Sequence, residues 1–159
     1  MKRTVALLMA AAMLVMVVFT GCGEKASAKQ PATSEIAQKF KDGITFEDEL
    51  MQLEGDRVTK QYEKLDTSAL DEYTLFVSSS GATPEEIAVF KLGDGGDAKA
   101  LKAAIDARVQ QQKDGFVDYV PEEMPKLENC VILSEGNYYA LVVAGDASQA
   151  EKIFEDCFK

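Results

Sequence analysis

Apolar residues recur along this chain with two different periods, and the change of period divides it into elements. Residues 70–78 alternate, with Tyr73, Leu75 and Val77 on one side and Phe76 on the other, until Ser78-Ser79-Ser80-Gly81 breaks the pattern. That period of two predicts a strand, and 86–92 predicts a second. From Asp97, a residue suited to capping, the period lengthens. Leu101, Ala104, Ile105 and Val109 then share one stripe of a helix running to about Asp114, with Gly115 closing it. Two more strands, 129–133 and 138–144, flank the hairpin turn Glu135-Gly136-Asn137. The last helix carries Ala150, Ile153, Phe154, Cys157 and Phe158 at helical spacing, with Asp146 as its cap. Nearer the start, Ser34 caps a short helix with Ile36, Ala37 and Phe40 on its apolar face and Gly43 as its stop, and a second helix covers 56–64. Between them Ile44, Phe46, Leu50, Met51 and Leu53 carry too much apolar surface for a solvated loop, so this segment lies against the body of the domain.

The order is β-β-α-β-β-α after the short helices. An α+β fold follows, with a four-stranded, mainly antiparallel sheet, the two long helices on one face and the short N-terminal helices packed nearby. Ile87-Ala88-Val89-Phe90-Lys91-Leu92-Gly93-Asp94 echoes Tyr139-Ala140-Leu141-Val142-Val143-Ala144-Gly145-Asp146, with Ala, Gly and Asp identical. Either a duplication or chance produces such an echo. Both sides of the last strand are apolar, Tyr139, Leu141 and Val143 against Ala140, Val142 and Ala144, so its second face also needs a cover. The short helices or a partner protein would supply it.

The first residues follow another pattern. Lys2 and Arg3 precede an apolar run over 5–19 that ends at Thr20-Gly21-Cys22. A basic start, a short apolar stretch and small residues make a secretory signal. A membrane-spanning helix needs about 20 apolar residues, more than this run offers. Phe19-Thr20-Gly21-Cys22 resembles the bacterial lipobox, whose cysteine receives diacylglycerol before cleavage makes it the first residue; Phe19 departs from the Leu preferred there. Ordinary secretion, cleaved after Ala26-Ser27-Ala28, and an uncleaved anchor are the competing readings. The expected organisation is a signal peptide at 1–21, a lipidated Cys22 with a flexible tether at 22–33, and one domain at 34–159. Two acyl chains on one residue give stable anchoring.

Removal of Lys2 and Arg3 leaves 15 basic residues against 27 acidic ones, a net charge near −12. Such a surface repels phosphate backbones and anionic head groups, which argues against nucleic-acid binding and makes lipid the means of attachment. There is no histidine, so a serine or cysteine nucleophile lacks its common base and zinc its common ligand. Asp94-Gly95-Gly96-Asp97 lacks the alternating acids of a calcium loop and reads as a turn feeding a helix cap. No cofactor or structural metal is expected. Glu85-Glu86 and Glu122-Glu123 offer paired carboxylates, though a chain with 27 acids produces such pairs freely. Cys130 and Cys157 are expected at opposite ends of their hairpin-and-helix unit, as two thiols rather than a disulfide.

The series Gly43-Ile44, Tyr62, Leu65-Asp66, Glu72-Tyr73, Glu85-Glu86-Ile87-Ala88-Val89-Phe90-Lys91, Arg108, Gln112, Tyr119-Val120-Pro121 and Gly136-Asn137-Tyr138 resembles domain-of-unknown-function family 4358. Its members are small lipoproteins, mostly of clostridial and related Gram-positive bacteria. The resemblance implies a location at the cell envelope and no particular activity. Where related chains have Pro-Glu-Gln-Tyr, this one has Pro121-Glu122-Glu123-Met124.

Arg108, Gln112, Tyr119 and Pro121 are the candidate binding or structural positions. Arg108 and Gln112, one turn apart, can read a carboxylate or a peptide. Alternatively Arg108 lays its stem along the core and hydrogen-bonds the helix end or the Tyr119 loop. The expected function is a non-catalytic binding or scaffolding module on the outer face of the cell membrane, with an envelope protein or peptide as partner. A small envelope enzyme working with carboxylates alone is the alternative.

Overall fold

A computed structural model describes residues 29–159. The expected signal peptide, the lipidation site Cys22 and the first part of the tether lie outside the described residues. Five helices and five strands follow: α1 (Thr33–Gly43), β1 (Leu50–Leu53), α2 (Asp56–Gln61), β2 (Leu70–Ser78), β3 (Glu86–Leu92), α3 (Ala98–Phe116), α4 (Met124–Glu128), β4 (Val131–Glu135), β5 (Tyr138–Val143) and α5 (Ala150–Asp156). The strands form one open antiparallel sheet in the order β1-β2-β3-β5-β4. Among the described residues no helix is long and apolar enough to cross a membrane.

The sheet has five strands rather than four. Residues 50–53 pair with β2, Leu50 opposite Ser78 and Leu53 opposite Leu75, and so become its edge. The long helices do not share a face. Leu101, Ala104, Ile105 and Val109 of α3 pack with Val58 of α2, Tyr62 just after it and Leu127 of α4 against Leu75, Ala88, Phe90 and Leu141. On the other side, Ile36, Ala37 and Phe40 of α1 join Ala150 and Phe154 of α5 against Ile87, Val89, Ala140 and Val142. Side chains alternate across a strand, so β3 and β5 supply both cores at once. This is why β3 is buried along nearly its whole length and why its sequence is apolar on both sides. The second face is covered, as expected, by an N-terminal helix, but α5 shares the task and α2 joins the α3 side.

The echo between β3 and β5 is not a structural repeat. These strands are antiparallel neighbours, β2 and β4 lie on their outer sides, and α3 and α5 sit on opposite faces. Turning one β-β-α unit onto the other superposes the central strand and the helix but puts the hairpin partner on the wrong side. The two units therefore have opposite hand, which copies of one unit would not.

Local chemistry sets the element ends. Asp97 Oδ1 accepts the backbone N–H of Lys99 (2.8 Å) and Ala100 (3.1 Å) and so caps α3. Gly136, at φ 57°, makes the turn between β4 and β5. Two expected caps differ. α1 begins at Thr33 with Ala32 before it and no side-chain cap, and Asp146 accepts the N–H of Ser148 (2.9 Å) in a turn ahead of α5. Part of the expected tether is fastened down. Tyr138 O–H donates to Pro31 O (2.9 Å), the Thr33 N–H to Glu72 Oε1 (3.1 Å), and the Thr33 and Thr74 hydroxyls share a hydrogen bond (3.0 Å). Cys130 and Cys157 are free thiols that pack into opposite cores, with the sheet between them.

Candidate functional site

Strand β3 opens on Glu86, with Glu85 just before it, and the fold buries both, Glu85 at 1% and Glu86 at 0% exposure. A charged side chain leaves water only at considerable cost unless partners compensate it. Being adjacent at a strand start, the two point to opposite faces of the sheet and collect separate sets of partners.

Glu86 lies in register with Ala88 and Phe90 and faces α3. Its Oε2 accepts Arg108 Nε (3.0 Å), Arg108 Nη2 (2.8 Å) and Gln112 Nε2 (3.3 Å), while Oε1 accepts the Tyr62 hydroxyl (2.5 Å). Arg108 and Gln112 reach one acceptor because residues four apart on a helix stand above one another. Gln112 Nε2 also donates to Pro84 O (3.0 Å) and Arg108 Nη1 to Gln111 Oε1 (3.1 Å). The Tyr62 ring packs edge-on against Phe90, centroids 5.4 Å apart. Burial, then the neighbouring Glu86 charge, push the Tyr62 phenol well above its ordinary pKa of 10.0.

Glu85 faces the loop between α1 and β1. Its carboxylate accepts the backbone N–H of Glu47 at both oxygens (2.9 and 3.0 Å) and that of Asp48 (2.9 Å), and Lys126 Nζ lies 3.6 Å away. Lys126 is paired with Glu47 (2.9 Å) and Glu123 (2.8 Å) as well. Burial works to lower the Lys126 pKa, but these carboxylates outweigh it and hold the ammonium above the ordinary lysine value. Beside it, Asp48 accepts the hydroxyls of Ser78 and Ser80 and the N–H groups of Ser80 (3.1 Å) and Glu49 (2.8 Å). Those donors, Ser78 first, hold its carboxyl at about 2. Two carboxylates thus fasten the loop 44–49 to the end of the sheet.

Of the four positions singled out in the sequence, Arg108 and Gln112 are brought together on Glu86, and their partner is a strand rather than the helix end or the Tyr119 loop. Tyr119, 88% exposed, and Pro121, at the start of the 3-10 turn Pro121–Glu123, form a separate feature beyond the end of α3. In the sequence Glu85-Glu86 is one acidic pair among many, and Tyr62 belongs to a short helix. A signal was present, since Glu86 occupies the core-facing phase of an otherwise apolar strand.

The family described as Domain of unknown function (DUF4358) matches residues 43–144. The chain belongs to that family. No curated protein and no solved structure matches it. The DUF4358 segment takes in all five strands, the α2, α3 and α4 layer and both buried glutamates, and leaves α5 and nearly all of α1 outside. The Glu86, Arg108, Gln112 and Tyr62 cluster therefore lies wholly within the DUF4358 segment.

Chemically the arrangement is a lock more than a reagent. Both oxygens of Glu86 are occupied, and the Tyr62 phenol is displaced away from neutral pH. Asp97 of the Asp-Gly-Gly-Asp turn is engaged in capping α3, and no group of three or more potential metal ligands occurs among the described residues. Three buried side-chain atoms among the described residues lack a hydrogen-bond partner: Glu123 Oε2 and Lys126 Nζ, which face each other as an ion pair at 2.8 Å, and Gln112 Oε1.

Proposed function

We propose that this protein is a membrane-anchored lipoprotein of the cell envelope, a non-catalytic binding or scaffolding module carried on the outer face of the membrane by lipid on Cys22. The observation that carries the reading is the Thr20-Gly21-Cys22 junction after a short apolar run. Its position relative to the folded body supports it. Six residues separate Cys22 from Lys29, the first described residue, a reach of at most about 25 Å. From there Gln30 accepts a hydrogen bond from Lys91 (3.3 Å) and Pro31 one from Tyr138. The strap thus lies at the Lys91 end of β3, and the buried glutamates at the other end, roughly 16 Å further along the strand. On this reading the tether holds the Lys91 end near the bilayer and turns the Glu86 end outward.

The binding reading is favoured over a carboxylate enzyme because the two most buried acids satisfy internal donors. A general acid or base needs a free proton site within reach of substrate. Cells producing the parent chain and Cys22→Ala test the proposal. The parent should sediment with membranes and, after cross-linking on intact cells, carry an envelope protein with it. Cys22→Ala should appear in the soluble fraction. An alanine variant that still sediments with membranes would overturn the anchoring.

A further inference from the structure

The sheet ends in two unlike edges. At β1, Lys41 Nζ donates to Leu50 O (3.3 Å) and lies 4.9 Å from the centroid of the Phe76 ring, so a charge covers the backbone there. β4 carries neither lysine nor proline. Its hairpin closes on the pair Glu135 and Tyr138 about the two-residue turn Gly136-Asn137, so Glu135, Leu133 and Val131 turn their backbone groups towards β5. Ile132 and Ser134, between them, turn theirs away, and neither makes a backbone hydrogen bond to another element among the described residues. Both are exposed, Ile132 at 40%. Beside this edge, on the α5 side, lies an open groove of about 350 Å³. Leu133, Phe154 and Phe158 give it apolar walls, and Glu135, Glu151 and Glu155 an acidic rim. Among the described residues Lys159 is the one base lining it, and Glu155 and Asp156 already pair with that lysine (3.6 and 2.9 Å).

We propose that β4 is a docking edge that takes an extended, basic segment of a partner protein as a sixth strand of the sheet. Residues of that segment opposite Ile132 and Ser134 exchange backbone N–H···O bonds with them. Its residue opposite Leu133 points to the same face as Leu133 and puts an apolar side chain into the groove. Lysine or arginine two residues to either side stands on that face as well and meets the acidic rim. Charge selects this occupant over a second copy. Edge-to-edge pairing of two strongly acidic chains would bring their Glu135, Glu151 and Glu155 rims together. An acidic segment is rejected for the same reason. The inference rests on the binding-module reading and names the chemistry of the partner. Anchoring is read separately, from the N-terminal mass, so the two can fail independently.

The test is an NMR titration of the ¹⁵N-labelled full chain in zwitterionic detergent micelles, which hold it in solution with or without lipid. The probe is acetyl-Lys-Thr-Leu-Val-Lys-amide, which can lie antiparallel to β4 with its leucine opposite Leu133. The controls are the same peptide N-methylated at threonine and valine, and the peptide with both lysines replaced by glutamate. The basic peptide should shift the Ile132 and Ser134 backbone amides and slow their hydrogen exchange, with a dissociation constant on the order of 0.1–1 mM. N-methylation should weaken binding at least roughly fivefold. The acidic peptide should bind at least roughly tenfold more weakly at low salt. Ser134→Pro removes an N–H that faces away from β5, and should abolish binding at a melting temperature close to that of the parent. Glu151→Lys, exposed on α5, tests the rim without touching the strand and should weaken the basic peptide roughly threefold or more. No response to the basic peptide, equal binding of either control, or binding unchanged by Ser134→Pro or by Glu151→Lys would overturn the inference. So would slow exchange of the Ile132 and Ser134 amides in the free chain, which would mean an edge already filled by the chain's own N-terminal segment or, in a sedimenting dimer, by a second copy.

Discussion

Replacing Arg108 by methionine keeps the apolar stem but removes the guanidinium from a carboxylate with no exposed surface. Arg108 side-chain exposure is 8% and that of Glu86 is 0%, so solvent screens the pair little. Breaking a buried pair from one side costs about 3–5 kcal/mol, because the remaining charge stays buried. Tyr62 and Gln112 still donate to Glu86 in the variant, which places the expected loss near the lower end of that range. In a domain of this size about 1 kcal/mol corresponds to roughly 3–5 °C, so Arg108→Met should melt roughly 10–15 °C below the parent by circular dichroism. Glu86→Gln in the Arg108→Met background removes the unpaired charge and keeps its shape, and should restore at least about half of the loss. The coupling from the full double-mutant cycle should exceed about 1 kcal/mol. A single variant that melts within about 3 °C of the parent, or a double variant no more stable than Arg108→Met, would refute the assignment of this pair as the lock between α3 and the sheet.

Asp48 is held at about 2 against an ordinary 3.8, so its stabilisation is complete above about pH 3.8 and disappears as pH falls through about 2. Thermal melts at pH 7, 4 and 2 should accordingly show a shallower acid loss for Asp48→Asn than for the parent. Gly96→Ala would put a Cβ 2.6 Å from Leu92 Cδ1 and 3.0 Å from Ala69 O and should destabilise by about 1–3 kcal/mol. Gly115→Ala, in the last turns of α3 with open space around it, should gain about 0.5–1 kcal/mol in urea unfolding. Burial raises the pKa of both Cys130 and Cys157. Reaction of Cys130 and Cys157 with Ellman's reagent at pH 8 should therefore be slow in the folded protein, slowest at Cys157, and go to completion at both only in denaturant.

The central elements were legible because their signals are local. Alternation gave β2 and β3 their observed bounds, and Asp97 marked the start of α3. Strand β1 was not, because Leu50-Met51-Gln52-Leu53 is too short to show a period and becomes a strand only by pairing with β2. The faces taken by α3 and α5 were also hidden. A helical stripe says that a face is buried but not on which side of the sheet. Arg108 and Gln112 could be picked out beside an apolar stripe, yet their shared partner lies 22 and 26 residues away on another element, where spacing carries no information. Glu86 stood in the core phase of its strand, but in a chain of 27 acids that phase was the sole hint.

In the proposed function, anchoring by two acyl chains at Cys22, made the first residue by cleavage, is what would turn the Glu86 end outward. Intact-mass and N-terminal peptide spectrometry on protein taken from the producing cell measures it directly. The account predicts a mature chain beginning at Cys22, its sulfur carrying diacylglycerol. A mature chain without lipid that begins at Lys29 would contradict it.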